Sequence, residues 1–203
     1  MTTKAHEIIT QGNEMGDDKN IAQVTIALTN PKSPSNVGAV MRAAGCYHVS
    51  QVLYTGKRYE YAAKHTSNKL ATDTKKARQN IPLSGVESFI DLVGALDNLA
   101  KTTKIICVDL VEGATPLPHF QHPEHAVYIF GPEDGTISQQ VIDCADEVVY
   151  VPTKGCMNLA ASVNVLLYDR LAKLELAKDK SHNADNELIR QSRDTNNKVK
   201  VRS

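Results

Sequence analysis

The stretch "EVVYVPTKGCMNLAASVNVLLYDR", Glu147–Arg170, decides the fold. A β-rich run stops at Pro152, a loop holding Gly155 follows, and a long periodic segment begins after Asn158. Leu159, Val163, Leu166, Leu167, Leu171 and Leu174 recur at helical spacing, which predicts a core-facing helix over residues 156–177. Asn158 stands on its first turn, where a cap or a ligand contact is useful. Asn164 falls inside the helix, where asparagine is a poor former, and so points to a helix–helix or subunit contact. Asp169 and Arg170 read as a surface or interface ion pair.

The same strand-then-helix rhythm extends through the chain. Residues 23–29, 51–56, 104–110, 126–131 and 147–152 are short β-rich runs bounded by turn residues. Helical patterns cover roughly 35–46, 85–99, 137–144 and 156–177. Alternation of this kind implies an α/β domain with a mostly parallel sheet flanked by helices. Ligands in such sheets bind beyond the carboxyl ends of the strands, so the informative loops follow Thr29, Gly56, Leu110, Phe130 and Val151.

With 203 residues, the chain can bury one sizeable core. The polar stretch 1–20 reads as a loose tail, 21–177 as the folded domain, and 178–203 as a polar tail or frayed helix extension. The C-terminal tail is either solvated or an arm that touches RNA. Lys+Arg and Asp+Glu both number 23, so overall charge does not name a partner. The local distribution does more. Residues 57–78 carry seven basic side chains against two acidic ones, with Tyr59 and Tyr61 among them. Such a segment is a solvated face, or a surface that binds phosphates and stacks bases.

Cys46, Cys107, Cys144 and Cys156 are widely spaced, and three lie in apolar runs. They read as reduced small hydrophobes in a cytoplasmic protein, not as a disulfide frame. No run approaches the length of a membrane span, and the polar N-terminus lacks a signal-peptide core. His119, His122 and His125 in "HFQHPEH" hint at a metal, but Pro118 and Pro123 break the helix that would align them. No acidic or cysteine partner has ligand spacing, so a polar surface loop is favoured and no metal is expected.

Two further segments bear chemistry. In "NPKSPSNVGAVMRAAG", Ser35 or Asn36 can cap a helix on which Arg42 lies one turn beyond Gly38 and Ala39. A permanent cation in an apolar run must reach solvent, a partner or a ligand. The small neighbours give a ligand room to approach it, and snorkelling to the surface is the other reading. In "YIFGPEDGTIS" a strand ends at Gly131, and Glu133 follows at the sheet's carboxyl edge, either as a plain connection or as part of a site. No dinucleotide fingerprint or phosphate loop is present.

Taken together and in order, the three segments resemble the SpoU (TrmH-type) branch of the SPOUT superfamily, the knotted RNA methyltransferases. The resemblance rests on Asn36, Gly38 and Arg42, on Gly131 and Glu133, and on Pro152, Asn158 and the "LLYD" stretch, and spans about residues 22–176. Departures are Cys156, where many members have serine, a short Pro152–Asn158 loop, and Gly135–Thr136, where glutamate and glycine are common. The resemblance implies a deep C-terminal trefoil knot and a homodimer. It also implies S-adenosylmethionine bound mostly to loop backbone at Asp109 and Leu110, at Gly131, Pro132 and Glu133, and at Val151, Cys156, Met157 and Asn158. The implied reaction is methylation of a ribose 2′-hydroxyl in tRNA or rRNA. Arg42 would act near the partner's cofactor, as a base or as a phosphate ligand. Asn36 would fix its loop, Glu133 shape the pocket and Asn158 orient the third loop. Lys57, Arg58, Lys64, Lys75 and Lys76 would contact RNA phosphates. The alternative is a catalytically silent RNA-binding or assembly factor on the same scaffold. An unrelated α/β enzyme that binds a nucleotide elsewhere would need a phosphate loop that the sequence lacks.

Overall fold

The computed structural model describes residues 22–65, 80–90, 92, 99–176 and 182–201. Seven strands form one sheet: β1 (Val24–Leu28), β2 (Gln51–Tyr54), β3 (Leu83–Gly85), β4 (Lys104–Val108), β5 (Thr115–Pro116), β6 (Ala126–Phe130) and β7 (Glu147–Tyr150). Their order is β3-β2-β1-β6-β4-β7-β5, and every pair is parallel. The described helices are α1 (Pro34–Cys46), α2 (Arg58–His65), α3 (Gln139–Asp143), α4 (Leu159–Leu171) and α5 (His182–Ser192).

The central strands are buried on both faces, because successive side chains point to opposite sides of a strand. On β6, Tyr128 and Phe130 join Ile26, Leu28, Ile106 and Val108 in a core shared with α1 and α4. Val127 and Ile129, which alternate with them in sequence, join Ala27, Leu53, Ile105 and Cys107 in a second core on the other face, with Ile137 and Val141. This is the α/β architecture that the alternating pattern implies, and α1 and α4 pack together on one face.

Each anticipated strand is present and ends one or two residues early, leaving the chain free to turn at the carboxyl edge. Strands β3 and β5, three and two residues long, are too short to show a period. Residues 86–90 are irregular where a helix from 85 was expected, because Val86 N–H donates to the Tyr54 carbonyl and extends the ladder beyond β3. The helix expected from 156 starts at Leu159, since Asn158 is its cap, with extended backbone. It continues past Leu171 as a π-helical turn, Ala172–Leu176. The chain beyond includes a separate helix, α5, where a loose tail or a frayed extension was expected.

Further expectations are corrected. Ser33, not Ser35 or Asn36, caps α1, accepting the Asn36 N–H with Pro34 at the first helical position. Asn164 is exposed rather than buried and donates to the Ala160 carbonyl one turn back, with its side chain on the same exposed stretch as Val165. Arg170 is buried rather than at the surface. Its guanidinium donates to the carbonyls of Pro123 and Glu124 and to the Tyr128 hydroxyl. His122 is likewise buried, bridging the Tyr128 hydroxyl at 2.7 Å and Asp169 at 2.9 Å. Only Cys107 behaves as a core hydrophobe; burial pushes its thiol up to about 12, whereas Cys46, Cys144 and Cys156 are exposed thiols. Among the described residues no helix is long and apolar enough to cross a membrane.

Candidate active site

Four loops meet at the carboxyl edge of the sheet, after β1, β4, β6 and β7. The loop after β4 begins with Asp109, whose Oδ2 accepts from Thr136 Oγ1 at 2.7 Å and Ile137 N–H at 2.9 Å. Its Oδ1 accepts from Leu110 N–H. One carboxylate therefore ties the loop after β4 to the loop after β6. Gly131 must be glycine for this: a Cβ there would lie 2.8 Å from Asp109 Oδ2.

Glu133 joins the loop after β6 to the start of α1. Its Oε2 accepts from Lys32 N–H at 2.8 Å, and its Oε1 accepts from Ser33 N–H at 3.1 Å and Asn36 Nδ2 at 3.0 Å. Partial burial raises the Glu133 carboxyl, but bonds from Asn36, Lys32 and Ser33 outweigh it and hold the group below the usual carboxylate range. Asn36 passes the connection on, its Oδ1 accepting from Asn158 Nδ2 at 3.0 Å. Asn158 Oδ1 in turn accepts from Ala160 N–H and caps α4. Asn36, Glu133 and Asn158, distant in sequence, thus form one continuous hydrogen-bonded chain.

The loops after β4, β6 and β7 enclose a cleft lined by Asp109, Leu110, Gly131, Pro132, Glu133, Val151, Cys156 and Met157, with Leu159 beside them. Asn36 and Asn158 do not line it and brace its loops from behind. Exposed Leu110 on its rim, together with Val151, Met157 and Leu159, offers apolar contact for a flat ring or an aliphatic chain.

Arg42 does not line this cleft. It is exposed on α1 and borders a separate recess with Cys46, His48, Ser50 and Asn80. Gly38, expected to give a ligand clearance, is buried in α1 and serves packing. On α2, Arg58 makes a bidentate bond to Asp134 at 2.9 and 2.8 Å, with Lys32 3.6 Å from the same carboxylate. Arg58 is therefore paired with Asp134 at the surface. Lys57 and Lys64 are exposed, whereas Lys75 and Lys76 lie outside the described residues. Tyr59 is buried edge-on to Tyr54 and cannot stack a base; Tyr61 is exposed.

A model of the SpoU rRNA Methylase family matches residues 23–168, most of the chain and all four loops. The chain belongs to the SpoU rRNA methylase family. Solved structures similar to this SpoU-family chain include an rRNA methyltransferase from Sinorhizobium meliloti, at 18% identity and TM-score 0.60, aligned over 75% of this chain and 57% of that one. The TrmH/SpoU tRNA modifying enzyme of A. aeolicus aligns at 15% identity and TM-score 0.62, over 84% of this chain and 87% of that one. The SpoU methyltransferase AviRb from Streptomyces viridochromogenes, in complex with AdoMet, aligns at 16% identity and TM-score 0.59, over 74% and 57%. The chain thus spans little more than half the length of two of these proteins, and likenesses at such identities carry the fold alone. No curated protein matches the chain in sequence.

The sequence pattern did not reveal Lys32 and Ser33, which act through backbone N–H groups, nor the Asp109 latch, whose partners lie beyond Gly131. An acidic residue ending β4 opposite a glycine ending β6 is the signal that could have found the latch.

Proposed function

We propose that this SpoU-family protein transfers a methyl group from S-adenosylmethionine to a ribose 2′-hydroxyl of tRNA or rRNA, acting as a homodimer in the cytoplasm. The supporting observation is the Glu133–Asn36–Asn158 chain, which braces the loops bordering the cleft at the carboxyl edge. The chemistry of the cleft's lining suits the cofactor. Leu110, Val151, Met157 and Leu159 give apolar walls, and Glu133 has three donors of its own, so no unpaired side-chain charge needs burying. When bound, S-adenosylmethionine supplies an electrophilic methyl on a sulfonium.

The chain's own groups then have distinct tasks. Glu133 and Asp109 fix the loop after β6, and Asn158 anchors the start of α4 below it. Preorganised positioning of this kind lowers the barrier by holding donor and acceptor in line. The chain's residues would hold the 2′-hydroxyl in line with that methyl, which would pass to the hydroxyl oxygen as the hydroxyl proton left to solvent and the cofactor left as the neutral thioether. Arg42, as a lasting cation, holds a substrate phosphate beside that hydroxyl.

Because Arg42 is away from its own cleft, a second copy is needed to bring the two together. Val165 and Tyr168, apolar and exposed on α4 near Tyr47, supply a surface for it. We also propose the C-terminal knot; α4, after β7, returns to pack against α1, an early element of the fold. Four free thiols suit a reducing compartment. Transfer of labelled methyl to total tRNA and rRNA, followed by mapping of the modified nucleotide, tests the reading. A 2′-O-methyl at one position supports it, and absence of transfer to either RNA class refutes it.

A further inference from the structure

The recess beside Arg42 is not used by the cleft. It has a volume of about 510 Å³ and lies between the last turns of α1 and the entry to β2. Small-molecule sites span about 300–1,000 Å³, so the space suits a nucleoside. Val49 and Ile81, both buried, form an apolar floor. Arg42, His48, Ser50 and Asn80 line its exposed edge. Among the described residues no side chain hydrogen-bonds the Arg42, His48 or Asn80 side chains.

The backbone around the recess is held in an uncommon form. His48 has φ +53°, in the left-handed region that non-glycine residues seldom occupy. It is pinned on both sides, by Tyr47 N–H to the Ala43 carbonyl and by Val49 N–H to the Ala44 carbonyl. Ser50 N–H then donates to Val24 in the sheet. His48 follows the C-cap Tyr47, and the Val49 N–H to Ala44 bond is the usual closure of a helix. The frame is therefore rigid, and polar side chains around an apolar floor suit a base. The ring meets the floor and its polar edge meets the rim.

We infer that this recess receives the base of the target nucleotide, with Arg42 on its phosphate and with His48 and Asn80 as residues that select the base. The inference rests on the proposed methyl transfer and extends it to substrate choice. It places the target nucleoside on one copy and the methyl donor in the cleft of the other.

Two measurements separate this inference from the reading beneath it. First, the four nucleoside 5′-monophosphates are titrated into the protein while the His48 ring resonances are followed by NMR. One or two of the four are expected to shift them, and Asn80→Ala to weaken that binding about tenfold, the worth of one hydrogen bond. Second, mapped methyl transfer is compared for wild type, His48→Ala and Asn80→Ala, with calorimetry of cofactor binding as the check that the cleft is intact. Both variants should lose about tenfold or more in kcat/KM, or modify a different nucleotide, at unchanged cofactor affinity. If no monophosphate moves His48, or both variants modify the same nucleotide at the wild-type rate, the inference is overturned. If the monophosphates bind and no RNA is methylated, the recess is a nucleotide site and the proposed reaction is wrong.

Discussion

Gly131 and Glu133 sit two residues apart and depend on opposite properties. Gly131 matters for the atom it lacks, because Asp109 Oδ2 occupies the space its Cβ would need. Gly131→Ala should push that carboxylate off Thr136 and Ile137 and release the loop. We expect calorimetry to show cofactor affinity falling tenfold or more, with a loss of about 1–3 kcal/mol in stability. Glu133 matters for its charge and its two oxygens, which between them take three donors. Glu133→Gln keeps the shape, but an amide has one accepting oxygen and would set its NH2 against a donor. Bonds to charged groups are worth about 1.5–3 kcal/mol each, so losing one should cut methyl transfer tenfold or more while the circular dichroism spectrum is retained. A Glu133→Gln enzyme with wild-type rate would show that the brace is not needed for the reaction.

At the scale of the element, α4 does more than fill the core. Its end and the π-helical turn after it hold the segment between β5 and β6 through Asp169, Arg170 and Lys173, the last donating to the carbonyls of Leu117 and Phe120. Removing the guanidinium strands two carbonyls, so Arg170→Ala should cost about 2–4 kcal/mol, read as a lower denaturant midpoint. His122 gives this clamp a pH dependence. Burial lowers its pKa from the ordinary value of 6.5, and the hydrogen bond to Asp169 opposes that only in part. The unfolded chain therefore takes up the proton first. The stability tied to neutral His122 is complete above 6.5 and is lost as pH falls through the folded value. His122→Gln should flatten that limb of a stability–pH curve. Little of this clamp was legible in the sequence. Helical spacing marked core positions such as Val163 and Leu166, but Arg170 is satisfied by carbonyls of a segment without regular structure, which no period within α4 can report. The strands and α1 were legible because buried parallel strands are continuously apolar. Asn36, Glu133 and Asn158 were legible as polar residues at strand ends and helix starts. Their mutual bonds were not, since they depend on strand order.

At the scale of the molecule, the cleft and the Arg42 recess lie toward opposite ends of the strands. The cleft lies beyond the carboxyl ends of the strands. Arg42 lies where α1 has run back along the sheet toward the entry to β2. If each cleft is served by the arginine of the other copy, two different defects can compensate. Arg42→Ala removes the cation from one half of a composite site, and Glu133→Gln damages the cleft in the other half. Each homodimer alone should keep a tenth of the wild-type rate or less, because both of its sites carry the defect. After the two are mixed, unfolded and refolded together, a mixed dimer carries both defects at one site and none at the other. With random pairing in a twofold dimer, half the dimers are mixed, so about one quarter of the wild-type rate should return. If Arg42 instead serves the cleft of its own chain, every site in the mixed dimer keeps one defect and no activity returns.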